Sequence, residues 1–325
     1  MAALARSVLR YSTRHEAAAS DSFADHAING LGDSPKWLSA KYFYDATGSA
    51  LFEEITRLAE YYPTRTELKI LEANAPAMAA SIPLAAALVE FGAGSSKKAR
   101  IMLRAAPQIA AYVPVDISGE FLAQEAAALK RDMPSIAVLP VAADFTRDFD
   151  LPAQVRSRPR VGFFPGSTIG NFEPQDAAEF LRQARRILGA GSTMIVGVDL
   201  IKDAAVLNAA YDDAAGVTAK FNLNILRRMN RELGGDFDLS AFRHRAFYNV
   251  ANHRIEMHLE SLKAQTITVA GRSFDFRQGE TIHTENSYKY TVDSFHALGV
   301  SAGWRPTAVW TDARGYFSIH ALKAR

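Results

Sequence analysis

The residues with chemistry to offer recur at the ends of short apolar runs. Ala87-Leu88-Val89-Glu90-Phe91 closes on Gly92-Ala93-Gly94-Ser95. Glycines there allow a tight turn and close approach of a ligand to the backbone. A helix opening near Ser95 or Ser96 is expected to offer free amides to a carboxylate or phosphate. Position 97 is Lys, so the third glycine of a dinucleotide fingerprint is missing. Asp116 ends the next run, where a carboxylate can accept two hydrogen bonds from ribose hydroxyls. The competing reading is an N-cap for the helix near Gly119, a place that Ser118 already fills. Asp144-Phe145 follows a third run and suits an adenine amino group and ring face; a turn aspartate and a core phenylalanine would look the same. Pro165-Gly166-Ser167-Thr168-Ile169-Gly170-Asn171-Phe172 follows a fourth. Asn171 carries a carbonyl and an amide that can hold an amino acid's amine or carboxylate, unless it caps the helix near Glu173-Pro174. Asp199 ends a fifth run and reads as no more than a cap.

These groups need elements that bring them to one edge. The five runs lie at residues 87–91, 112–116, 136–141, 161–164 and 194–198, with helical patterns such as 119–131 and 175–188 between them. Alternating strands and helices predict right-handed crossovers and a parallel sheet covered on both faces. In such a sheet, ligands sit at the carboxyl ends of the strands. Residues 203–232 read as one or two helices. Residues 247–259 and 266–276 read as strands, and 307–311 and 316–322 as an antiparallel hairpin turned at 312–315. Five parallel strands plus a terminal hairpin is the layout of a seven-stranded, Rossmann-like class I methyltransferase sheet. Residues 62–200 and 286–325 are assigned to it. Residues 1–61 and 201–285 are assigned to a second, α+β substrate-binding domain.

Composition narrows the field. The 325 residues are 48% hydrophobic and include no Cys, which removes disulfides, thiolate nucleophiles and Cys-built zinc sites. A net charge of +2, from 37 basic and 35 acidic residues, gives no nucleic-acid footprint. No apolar run is long enough to span a bilayer. Residues 1–19, rich in Arg and Ala, read as surface-lying or frayed rather than as a targeting signal. None of the 8 histidines falls in a metal-binding spacing, so no metal site is read. A cytoplasmic monomer acting on a small molecule, with neither nucleic acid nor membrane as partner, is expected.

Further candidates flank this core. Tyr44, Tyr61, Tyr62 and Tyr211 fall in segments expected to border the cleft. In Thr284-Glu285-Asn286-Ser287, alternation puts Glu285 and Ser287 on one strand face, where a solvated edge strand is the plain alternative. Phe43-Tyr44-Asp45, Gly48-Ser49, Leu51-Phe52-Glu53, Glu60-Tyr61-Tyr62-Pro63-Thr64-Arg65-Thr66-Glu67, the glycine turn, Gly166 to Asn171 and Thr284 to Tyr290 occur in order. Together they resemble the histidine-specific, S-adenosylmethionine-dependent methyltransferase family of ergothioneine biosynthesis. The resemblance implies three methyl transfers from S-adenosylmethionine to the α-amine of L-histidine. By carry-over, Gly92, Lys98, Asp116, Asp144, Phe145 and Tyr61 or Tyr62 resemble cofactor contacts. Tyr44, Gly166, Asn171, Tyr211, Met257, Glu285 and Ser287 resemble substrate contacts, with Tyr44 and Asn171 nearest the reacting amine. An N-methyltransferase of the same family for another amino acid or small amine is the runner-up. An NAD-dependent oxidoreductase and a noncatalytic nucleoside-binding module are the readings from other classes.

Overall fold

The computed structural model describes residues 22–325; the stretch 1–19, read as surface-lying, falls outside the described residues. The described chain divides into two compact units. The first takes the residues up to Tyr61 and Asp203–Ser287; the second takes Tyr62–Lys202 and Tyr288–Arg325.

The first unit opens with α1 (Phe23–Gly32), started by a reciprocal capping box between Ser22 and Asp25. After β1 (Lys36–Trp37), α2 (Ala46–Ile55) is capped by Asp45, which accepts from the Gly48 amide at 2.7 Å. The chain then builds the second unit. Here α3 (Tyr62–Ala79), α4 (Lys97–Ala105), α5 (Gly119–Asp132) and α6 (Pro174–Leu188) alternate with β2 (Ala86–Phe91), β3 (Ile109–Asp116), β4 (Ala137–Val138), β5 (Val141–Ala142), β6 (Arg160–Phe164) and β7 (Thr193–Asp199). Back in the first unit come α7 (Ala204–Tyr211), α8 (Val217–Leu233), β8 (Phe242–Asn249), β9 (Arg254–Ser261), β10 (Gln265–Val269), β11 (Arg272–Phe276) and β12 (Thr281–Tyr288). The second unit closes with α9 (Val292–Ser301), β13 (Trp304–Thr311) and β14 (Phe317–Ala324).

The large sheet runs β13-β14-β7-β6-β2-β3-β4, with β5 also on β3. β2 through β7 pair in parallel, and β14 enters antiparallel between β7 and β13. Every residue of β2 and β7 is buried, which explains their largely apolar character. One face packs Phe91, Phe164, Phe180 and Trp304; the other packs Leu71, Met102, Tyr112 and Phe163. The Trp304 indole N–H donates to the Leu181 carbonyl at 2.8 Å. Strand order reverses between β2 and β6, so the turns after these strands border the crevice where open α/β sheets bind ligands.

Three expectations need correction. The third run, 136–141, is not one strand: Leu139-Pro140 splits it into β4 and β5, because proline has no N–H for the ladder. Residues 247–259 are not one strand either. They belong to the hairpin β8–β9, which turns at 250–253 with His253 at φ +50. Residues 266–276 form a second hairpin, β10–β11, whose two turn residues Ala270 and Gly271 both take positive φ. The remaining sheet of the first unit runs β1-β12-β9-β8.

Candidate active site

In the second unit, the glycine turn leaves β2 with Gly92 at φ +68. A Cβ there would meet the Phe145 ring at 3.2 Å, so glycine lets the first turn approach the aromatic of the third. Phe145 in turn contacts Phe164, Phe172 and Phe180. The amides of Gly92 and Ala93 are spent on the Val115 carbonyl at 2.9 and 3.0 Å. The expected free helix amides are also partly taken, since Glu125 accepts from the Ser96 amide and hydroxyl at 3.0 and 2.8 Å. Asp116 stands at the end of β3, and burial pushes its carboxyl above the usual range. It accepts from the Ser118 amide at 2.8 Å. Ser118 occupies the N-cap position of α5 but makes no side-chain cap bond, contrary to the sequence reading. Asp144 accepts from the Thr146 amide at 3.0 Å, an Asx-type turn.

Glu67 of α3 is a buried acid whose sequence context suggests no role. Glu67, 1% exposed, accepts from the Gly166 amide at 2.9 Å and pairs with the Lys98 ammonium at 2.6 Å. Gly197 makes room for it, because a Cβ there would stand 2.2 Å from Glu67 Oε1. Glu67 thus ties the turn after β6 to α4. Lys98, a candidate cofactor contact, is held by a protein carboxylate. The Gly166 turn continues through Ser167, at φ +58, into a 3-10 helix, Thr168–Asn171. Asn171 does not cap α6: Glu173 takes the N-cap position, with Pro174 first in the helix. The Asn171 side chain makes no hydrogen bond among the described residues and is half-buried.

Asp199 is more than a cap. It is fully buried and accepts from the Tyr62 hydroxyl at 2.7 Å, Lys202 at 2.7 Å and Lys289 at 2.8 Å. Burial pushes its carboxyl up, but the two ammonium groups outweigh that and hold it below the usual range. The same burial pushes Lys202 down to about 8. The helix that follows, α7, is capped instead by Asp203, and α8 has Asp213 accepting from its Val217 and Thr218 amides at 2.9 and 2.8 Å. Of the two adjacent tyrosines, Tyr62 spends its hydroxyl on this cluster.

In the first unit, the tyrosine candidates form one aromatic chain. Tyr44 meets Phe52 edge-on at 5.8 Å, Phe52 meets Tyr61 at 6.3 Å, and Tyr61 meets Tyr211 at 6.1 Å. The Tyr211 and Ser287 hydroxyls share a buried hydrogen bond of 2.8 Å. Glu285, two residues earlier in β12, is half-buried. A polar relay braces this region. His244 Nε2 meets the Tyr211 carbonyl at 2.9 Å, its Nδ1 meets the Asn222 amide at 2.8 Å, and the Thr284 hydroxyl donates to Asn222 at 2.8 Å. Thr284 also reaches the Met257 carbonyl at 3.0 Å, while the Met257 side chain is buried.

The family described as histidine-specific methyltransferase, SAM-dependent, matches residues 23–324. The chain belongs to that family. Among its relatives, the histidine N-alpha-methyltransferase of Mycolicibacterium smegmatis is 43% identical over 295 residues, 89% of this chain and 91% of that one. The enzyme of the same name from Mycobacterium tuberculosis is 41% identical over 297 residues, 90% of this chain and 91% of that one. A more distant member, the 4-dimethylallyltryptophan N-methyltransferase of Aspergillus fumigatus, is 30% identical and spans 95% of this chain and 96% of its own.

This histidine-specific family member is therefore an S-adenosylmethionine-dependent methyltransferase, on the class I sheet order found here. The crevice residues suit that cofactor. The Gly92 backbone comes close to Phe145, and half-buried carboxylates stand at the ends of β3 and beyond β5. No helix among the described residues is long and apolar enough to cross a membrane. One group escaped the sequence reading. Glu256 and His258 of β9 and His283 of β12 each place a ligand atom within 4.8 Å of the others. Histidine spacing along the chain could not show this, because the group assembles across neighbouring strands.

Proposed function

We propose that this family member transfers methyl groups from S-adenosylmethionine to the α-amine of L-histidine, three times in succession, to give Nα,Nα,Nα-trimethylhistidine (hercynine). The observation that carries the substrate assignment is the buried hydroxyl pair between Tyr211, at the end of α7, and Ser287, on the strand that bears Glu285. The two mycobacterial relatives, histidine methyltransferases by name, support it. Gly92, Asp116, Asp144, Phe145 and Lys98 are assigned to the cofactor. Tyr61 or Tyr62 is assigned to a cofactor contact, with the Tyr62 hydroxyl donating to Asp199.

When bound, the cofactor supplies a methyl carbon on a sulfonium that is its own leaving group. The protein's task is to present a neutral amine in line and hold it there. Asn171, whose side chain makes no hydrogen bond among the described residues, is assigned to accept from an amine N–H through its carbonyl oxygen. Tyr44 is assigned to accept a hydrogen bond from the same amine. Gly166 lines the same turn, Tyr211 is assigned to the carboxylate, and Glu285 and Ser287 to the imidazole, with Met257 shaping the pocket. A buried acceptor for an imidazole N–H rejects side chains that lack one, because its own partner is then missing.

Mass spectrometry of L-histidine incubated with enzyme and S-adenosylmethionine tests the reading; three added methyl groups are expected. The relative acting on 4-dimethylallyltryptophan keeps a second substrate class in view. A panel of amino acids, each titrated with S-adenosylhomocysteine present, separates them. Tighter binding of another amino acid than of histidine would transfer the assignment. Glu285→Ala is expected to lose the preference for histidine over other aromatic amino acids, and an unchanged preference would remove Glu285 from the imidazole site.

A further inference from the structure

We infer that Glu256, His258 and His283 form a binding site for a borderline divalent transition ion such as Zn2+ or Co2+. All three belong to the first unit, on the neighbouring strands β9 and β12. Two imidazoles and a carboxylate are a ligand set that such ions take, and a fourth position is left open for water. The ligand atoms already lie within 4.8 Å of one another, and Glu256 Oε2 stands 3.2 Å from His258 Nε2. A tetrahedral ion bound at ~2.0–2.2 Å places its ligands roughly 3.4 Å apart, so small side-chain rotations close the set.

The surroundings match what orients ligands at metal sites. Glu256 Oε1 accepts from Asn249 at 2.9 Å and Arg254 at 2.8 Å, which fixes the carboxylate and leaves Oε2 as the inward atom. His283 Nε2 lies 3.2 Å from the Glu285 carbonyl. A proton on Nε2, donated to that carbonyl, leaves the lone pair on Nδ1. The His258 ring stacks between Phe247 and His283, at 5.4 and 4.6 Å, and the two imidazoles, 14° from parallel, must rotate to aim both lone pairs at one ion. Nε2, the nitrogen of His258 that faces Glu256, is the one placed to ligate, so Nδ1, buried with no hydrogen-bond partner among the described residues, carries the ring proton. Arg254 brings an unfavourable positive charge beside the site, which weakens the affinity for a cation.

The test uses the untagged full chain, without added amino acids, and titrates ZnCl2 by calorimetry and CoCl2 by visible absorption. One ion per chain is expected, with cobalt bands of a nitrogen–oxygen tetrahedral site. His258→Ala and His283→Ala should each weaken binding by at least about 10-fold, since loss of even a partner that only orients a ligand costs about 10- to 100-fold. Arg254→Gln should tighten binding. Circular dichroism and melting of each variant establish that it is folded, and Arg254→Gln keeps both imidazoles should a histidine variant fail to fold. Absence of saturable binding would overturn the site. So would ion binding that neither histidine substitution in a folded variant changes, or an Arg254→Gln variant that binds no more tightly.

Discussion

Asp199→Asn is the substitution whose cost can be worked most directly from the structure. The asparagine can still accept from the Tyr62 hydroxyl, so that bond is preserved. What disappears is the negative charge between two ammonium groups, Lys289 with a side chain 0% exposed and Lys202 with one 4% exposed. Removing one partner of a buried ion pair costs about 3–5 kcal/mol, because the remaining charge keeps its desolvation penalty. At roughly 2–4 °C per kcal/mol for a body of this size, the melting temperature should fall by about 6–20 °C. Thermal scans and urea titrations followed by circular dichroism at neutral pH measure this. The double variant Asp199→Asn/Lys289→Met removes one stranded charge and should recover part of the loss, giving a nonzero coupling energy. A single variant melting within 2 °C of the wild type, or a double variant no more stable than the single, would refute the buried-charge reasoning.

Four further outcomes follow. Glu90 is buried against the Tyr112 hydroxyl, and burial raises its carboxyl to about 8, so the folded protein holds a proton that the unfolded chain releases near 4.5. Its contribution is therefore complete below about 4.5 and is lost as pH rises through about 8. Glu90→Gln, which stays neutral, should gain stability relative to the wild type between pH 5 and pH 8 in paired urea titrations. Gly92→Ala must take φ +68 and press on Phe145, so it should cost about 1–2 kcal/mol and weaken S-adenosylhomocysteine binding in calorimetry. Gly94→Ala meets nothing within 4 Å and should fold as the wild type does. Ser287→Ala removes the hydroxyl that partners Tyr211, and a loss of about 1–3 kcal/mol should raise the KM for the amino acid about 5- to 150-fold while leaving the cofactor's affinity unchanged.

The parallel sheet was legible because burial on both faces writes itself as unbroken apolar runs, each stopping at a polar or glycine turn. The terminal hairpin was legible because Asp312 to Gly315 is a turn in composition as well as in fact, with the Gly315 amide donating to the Asp312 carbonyl at 2.9 Å. Pro140 was visible, but whether a proline ends a strand or interrupts it depends on the neighbour that would have received its N–H. The hairpins β8–β9 and β10–β11 were hidden because their turns are short and lie between residues of strand-like character. Long-range polar partnerships were the least legible. Nothing local to Glu67 announces Gly166 and Lys98, and nothing in Asp199 distinguishes a helix cap from the centre of a four-residue cluster. The same holds for Asn222, which joins α8 to Thr284 of β12 through one hydrogen bond. Such contacts are set by the register of packed elements, which a linear pattern does not encode.

The partners of Asp199 have a mechanical consequence. The chain passes between the two units at Tyr61–Tyr62, Lys202–Asp203 and Ser287–Tyr288. Tyr62, Lys202 and Lys289 stand beside those three passages, and all three are bound to one carboxylate. Tension on any of the connecting segments is therefore delivered to a single charged node rather than to three separate patches of core.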